Sequence, residues 1–242
     1  MSRPKPDTNL AATGSKTEGA SAEQALAAIL TDVRKPLQPR SQASLDRMLT
    51  AAKTLMIERG GEDFTLQEVS SLGKVSTGSI YHRFEGKDEL IRAVIGRELA
   101  MMGETEERAF ADTLSASDNL DAYIPGYVRA FSQILLANAL MLRLAMRRAS
   151  VDPEVSRSGS RRQAEAAAVL AAGLAHYRQE IRGHIETKAL MVVRIIFATL
   201  VRQLSIDSME PVPDEQDWET LLRELGEMVL TYLKFGEDRT AG

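Results

Sequence analysis

Apolar residues recur every three or four positions along most of the chain, a spacing that predicts helices and little else. Between about 41 and 59, Leu45, Met48, Leu49, Ala52, Leu55 and Met56 form one stripe, and Gly60 and Gly61 stop the helix. Upstream, "SAEQALAAILTDVR" opens on a capping box, Ser21 with Gln24, and predicts a short helix. The prolines of "KPLQPR" end it, because proline lacks the amide proton a helix needs. Residues 1 to about 20 are rich in Ser, Thr, Pro, Gly and Lys, have no apolar period, and predict a disordered tail.

Downstream, "EGKDELIRAVIGRELAMMGETEERAFADT" starts with an acidic turn suited to a helix N-terminus and puts Leu90, Val94 and Met101 roughly on one face. "NLDAYIPGYVRAFSQILLANALMLRLAMRRAS" is amphipathic, with Pro125 expected to kink it or delay its start. Asp152-Pro153-Glu154 supplies a capping side chain followed by proline at the first helical position. An Ala-rich helix follows, then two apolar ones at about 186–206 and 214–235, joined through "DSMEPVP". No segment alternates convincingly with period two, so the fold class is all-α.

The stretch "TLQEVSSLGKVSTGSIYHRF", residues 65–84, breaks this regularity. Thr65 and Glu68 make a capping box, Gly73 ends the short helix, and Ser76 caps a second one. Two short helices about a tight turn are a helix-turn-helix. Ile80 and Phe84, four apart, share an inward face with Val75, and Gly78, Tyr81, His82 and Glu85 share the opposite one. Residues 76 to 83 thus read as an outward-facing rod. Gly78 lets its backbone approach a groove, and Ser76, Thr77 and Ser79 offer hydroxyls at a positive helix end. Tyr81 and His82 can meet phosphates or base edges, and Lys87 is a further phosphate ligand.

The bulk composition leaves this reading open. The chain has 242 residues, 44% hydrophobic and 26% charged, with a formal net charge of −4. An acidic balance does not announce nucleic-acid binding, but a local patch can bind phosphate on an acidic protein. There are no cysteines, which removes disulfides, thiolate nucleophiles and thiolate metal sites. The start does not read as a secretory signal, and the most apolar run, at 189–201, is too short for a bilayer and holds Arg194. A cytoplasmic protein with no membrane partner is expected.

The run "VSSLGKVSTGSIYHRFEGKDEL" resembles the DNA-binding motif of the TetR family of transcriptional regulators. Val69, Val75, Ser76, Gly78, Tyr81, Phe84 and Lys87 stand at the motif's spaced positions, and the similarity runs from about 40 to 97. Where the family places Ala then Gly in the turn, this chain has Gly73 then Lys74. Either Lys74 takes a left-handed backbone, costing roughly 1 kcal/mol or more, or Gly73 absorbs the strain. Ser70 replaces an alanine.

The resemblance implies three parts: an N-terminal extension at 1–39, a three-helix DNA-binding domain at 40–87, and a helical effector-binding and dimerisation domain at 88–242. It implies DNA contacts through Thr65, Ser76, Thr77, Gly78, Ser79, Tyr81, His82 and Lys87. It also turns Tyr123, Tyr127, Phe131, Met146, His176 and Tyr177 into candidates for the wall of a small-molecule pocket, although each taken alone reads as core. Val193, Phe197, Leu200, Leu225, Met228 and Tyr232 become candidates for pairing with a second subunit, or they bury against their own domain. The implied function is a homodimeric, ligand-responsive regulator, more specifically a repressor, on a pseudo-palindromic double-stranded operator.

Other classes find less support. The basic run of Arg143, Arg147, Arg148, Arg157, Arg161 and Arg162 reads as a salt-bridged face, and Arg40 as either a minor-groove arm or a linker residue. His176 and His184 lack metal-ligand spacing, no nucleophile elbow is present, and Glu104, Glu106 and Glu107 read as solvated. No enzyme, cofactor or metal is expected. The alternative is a helical small-molecule-binding module without operator-specific DNA binding.

Overall fold

The computed structural model describes residues 39–204 and 215–235, within a compact unit that spans 38–242. The expected tail, the helix from Ser21 and the "DSMEPVP" connection lie outside the described residues, while Arg40, read as an arm or a linker residue, falls in the first turn of the first helix. The described elements are α1 (Pro39–Glu58), α2 (Leu66–Gly73), α3 (Thr77–Tyr81), α4 (Lys87–Ser115), α5 (Leu120–Ala137), α6 (Ala139–Ala149), α7 (Pro153–Ala175), α8 (Ile185–Leu204) and α9 (Glu215–Phe235). A 3-10 turn, Arg178–Glu180, stands between α7 and α8. There is no strand among the described residues.

The first three helices and the start of α4 enclose a small core. Met48, Leu49, Ala52, Leu55 and Met56 of α1 meet Phe64, Val69, Ile80 and Phe84, and Leu90, Ile91, Val94 and Ile95 close it from α4. Each such side chain contributes about 1.5–3 kcal/mol on burial. α4 is continuous over 29 residues, so the boundary expected at 87/88 falls in its first turn. Its buried stripe continues through Glu98, Met102, Gly103, Glu106 and Phe110 into the second core.

That second core is larger. α5 packs against α4 and α9, and α7 against α4 and α8. Phe110, Tyr123, Tyr127 and Phe131 form its aromatic centre, with Phe110 and Tyr127 ring centroids 4.3 Å apart. Asn119 caps α5 by accepting from the Ala122 amide, and Asp152 caps α7 by accepting from that of Glu154, ahead of Pro153.

Several expectations are corrected. Met101 is 52% exposed and Met102 points inward, because the stripe that Leu90 and Val94 begin runs on through Glu98 and Met102. Pro125 does not delay α5, which starts at Leu120 under its Asn119 cap. The single amphipathic helix expected there is two, α5 and α6, bent by 78° at Asn138. Glu106 is buried, not solvated, since Arg162 reaches it from α7.

Candidate functional site

The helix-turn-helix is built from a close approach. Gly73, the last residue of α2, is buried on α1, and a Cβ there would lie 3.1 Å from the Arg47 carbonyl oxygen and 3.3 Å from Ala51 Cβ. Glycine is therefore used for packing, and the left-handed turn position falls on Lys74, at φ 49° and ψ 47°. That conformation costs a non-glycine residue roughly 1–2 kcal/mol. Ser70 offsets the strain. Its hydroxyl donates to the Val75 carbonyl at 2.6 Å while the Val75 amide donates to the Ser70 carbonyl at 3.1 Å. The sequence marked Ser70 only as a small substitution, and its brace could not be seen without the turn.

α3 then follows under Ser76, whose hydroxyl accepts from the Ser79 amide at 3.1 Å and bonds the Ser79 hydroxyl at 2.7 Å. It has five residues, shorter than the expected rod, and continues as a turn to Phe84. Ile80 and Phe84 are completely buried. Gly78, Tyr81, His82 and Glu85 are exposed on the other side, Tyr81 by 59%. Ser76 is exposed, and Thr77, Ser79 and Val75 are half-buried. Arg83 ties the end of this segment to the start of α1 by donating to the carbonyl and hydroxyl of Ser41, 42 residues away. No periodic signal points to a partner so distant.

Thr65 is exposed at the head of α2, and its hydroxyl is engaged in the capping box with Glu68. Arg59 also bonds Glu68, and with the Thr65 amide and hydroxyl it holds that carboxyl down at about 2. Lys87, expected to meet phosphate, is also bonded within the chain. Its ammonium donates to the carbonyls of Glu62 at 2.8 Å and Phe64 at 3.1 Å and stands 5.2 Å from the Phe64 ring centre. It fastens α4 to the loop before α2.

A cavity of about 180 Å³ opens in the second core between α4, α5, α6, α7 and α8. Of the candidate pocket residues, Phe131 and Met146 line it. Tyr123, Tyr127, Tyr177 and His176 do not. Tyr123 and Tyr127 are packed into the aromatic centre, where burial pushes the Tyr123 phenol up to about 12 and that of Tyr127 well above its ordinary value. Tyr177 donates to the Ser117 carbonyl at 2.7 Å, and His176 is exposed at the end of α7. The cavity's charged groups, Glu106 and Arg162, were not on the expected list.

Residues 48–94 match the family model described as "Bacterial regulatory proteins, tetR family". That segment, the helix-turn-helix with the end of α1 and the start of α4, is similar to the DNA-binding region of the TetR family. No curated protein matches it. The solved structures similar to it include a putative TetR-family transcriptional regulator from Mesorhizobium loti, at 16% identity and a TM-score of 0.69, covering 81% of this chain and 100% of that one. GusR of Salmonella enterica matches at 22% identity and a TM-score of 0.57, over 79% of this chain and 95% of that one. The fatty acid degradation regulator FadR from Bacillus halodurans matches at 15% identity and a TM-score of 0.54, over 81% and 97%. At these identities the likeness is one of fold.

A charged cluster links the helix-turn-helix region to α6 and the start of α7. Arg148, at the end of α6, bonds Glu62 at 2.9 Å, Asp88 at 3.0 Å and Asp152 at 3.0 Å, and Arg92 of α4 bonds Asp152 at 2.8 Å. Burial alone would raise the Asp152 carboxyl, but the hydrogen bonds from Arg92 and Arg148 outweigh it and hold the group at about 2.

The residues expected to pair two subunits are redirected too. Val193, Leu200 and Leu225 are buried in their own chain, because α8 packs on α7 and α9 on α5. Val193 and Phe197 line the cavity, and Tyr232 is half-buried with the Lys188 ammonium 4.8 Å from its ring centre. Met228 is 49% exposed. No single described helix is long and apolar enough to cross a membrane, and no metal-binding group occurs among the described residues.

Proposed function

We propose that this chain is a TetR-family, ligand-responsive repressor that binds a pseudo-palindromic operator as a homodimer in the cytoplasm. The observation that carries it is the exposed face of α3, with Gly78, Tyr81 and His82 set outward by the fully buried Ile80 and Phe84. Thr77 and His82 approach base edges. Ser76, Ser79, Tyr81 and the Thr65 end of α2 meet phosphates, and Lys87 acts through its remaining proton and its hold on the loop before α2. In this reading 40–87 reads DNA, while 88–242 holds the effector and pairs the subunits, with the half-exposed Met228 among the residues that meet the partner. No catalytic step is assigned to any residue.

The effector enters the cavity, whose walls include α6 and the start of α7. Both meet the Arg148–Asp152 cluster, so a shift of either helix reaches Glu62 of the head and Asp88 at the start of α4. The effector must prefer the form that does not fit DNA, and a ~100-fold preference corresponds to a coupling of about 3 kcal/mol. Selection of duplexes from a random pool by the full chain tests the proposal. An enriched inverted repeat bound by two chains supports it. Retention of random sequence without an enriched motif leaves the binding-module alternative instead.

A further inference from the structure

The cavity's polar end is a buried ion pair that is incompletely bonded. Glu106 is 2% exposed and Arg162 9%. One guanidinium nitrogen of Arg162 bonds Glu106 and another bonds Glu165 at 3.0 Å. The third, Nε, has no hydrogen-bond partner among the described residues, nor has the nearby buried hydroxyl of Tyr127. The guanidinium lies against Gly103, where a Cβ would stand 3.0 Å from Cζ and 3.2 Å from Nε. A buried donor without an acceptor is unfavourable, and a ligand acceptor would remove that penalty.

The rest of the wall is apolar, chiefly Leu99, Met102, Phe131, Leu142, Met146 and Val193. A cavity of about 150 Å³ holds a benzene-sized body, so about 180 Å³ holds one ring or a short chain with one small substituent. Charge narrows the choice further. The one cation, Arg162, already faces two carboxylates, so an entering carboxylate would add a third anion at a buried site. An entering ammonium would need Glu106, which is already engaged by Arg162. Burying an uncompensated charge of either sign is strongly unfavourable.

Resting on the ligand-responsive reading above, we propose that the effector is a small, uncharged, mainly apolar molecule with one acceptor oxygen, a ketone, ester or amide, that accepts from Arg162 Nε. The shape of the cavity sets its size and the Glu106–Arg162 pair sets its charge.

Isothermal titration of the full chain with acetophenone, benzoate and benzylamine tests this, since the three share a ring and differ in charge. Acetophenone is expected to bind at least about tenfold more tightly than the other two. Gly159→Leu fills the cavity from a helical position whose Cβ would meet nothing within 4 Å, and it should abolish that binding. Arg162→Lys keeps the charge opposite Glu106 but removes the Nε donor, and should weaken acetophenone about tenfold. Glu106→Gln removes the buried anion and should let benzoate bind at least about tenfold better than it binds the unaltered chain. Benzoate or benzylamine matching acetophenone in the unaltered chain, with Gly159→Leu abolishing it, would overturn the proposal while keeping the cavity as the effector site. Binding of none of the three, or binding indifferent to Gly159→Leu, would overturn the cavity reading along with it.

Discussion

Gly73 in the head and Gly103 in the body are both buried glycines, and each makes room for a neighbour, but the neighbours differ in kind. At Gly73 the neighbour is the backbone of α1, the Arg47 carbonyl, which cannot move without moving the helix. At Gly103 it is the end of the Arg162 side chain, which can give by a few tenths of an ångström without moving a helix. The head is therefore a fixed shape, with Lys74 forced into the left-handed region so that Gly73 can stay at the helix contact. The body is adaptable where it surrounds the cavity. A reading surface that must match a groove needs the first property, and a site that must respond to a ligand needs the second.

The joint between the two regions offers the largest effect. The Asp152 carboxyl, ordinarily at 3.8, sits at about 2 in the folded chain. A depressed carboxyl contributes its stability above its unfolded value and loses it as pH falls through the folded one. The prediction is a loss of about 2 kcal/mol as pH drops from about 4 to about 2. Asp152→Asn should show a correspondingly smaller slope in urea unfolding over that window.

The glycines come next. Gly73→Ala should destabilise by roughly 1–3 kcal/mol in urea unfolding, because a rigid backbone must shift. Gly103→Ala should fall within about 1 kcal/mol of the unaltered chain, since alanine's better helix propensity offsets the displacement of a flexible side chain. Equal losses at both positions would erase the contrast. The smallest effect is Lys74→Gly, which should stabilise by about 0.5 kcal/mol, the left-handed strain relieved being partly cancelled by glycine's greater unfolded entropy.

The head was legible in the sequence because its signals are local. The Thr65–Glu68 box and the Ile80–Phe84 spacing each lie within one turn of helix, and the structure places all four as their spacing implies. The turn was legible only as a choice between Gly73 and Lys74. Packing against α1 decided it, and nothing within the turn encodes that contact. The body resisted for the same reason. Glu106 stands among acidic neighbours and reads as surface, while the arginine that buries it is 56 residues away. Val193, Leu200 and Leu225 were apolar stripes either way, since periodicity marks a buried face without saying whose chain buries it. Tyr123 and Tyr127 share a stripe with Phe131, yet only Phe131 reaches the cavity.

The central claim is that the outward side of α3 reads DNA while its inward side holds the fold. The direct measurement is fluorescence anisotropy of the full chain on its selected duplex, comparing it with Tyr81→Ala/His82→Ala. Because both side chains are exposed, the thermal midpoint should stay in place while affinity falls at least about tenfold. An affinity within about twofold of the unaltered chain, with the fold intact, would contradict the account.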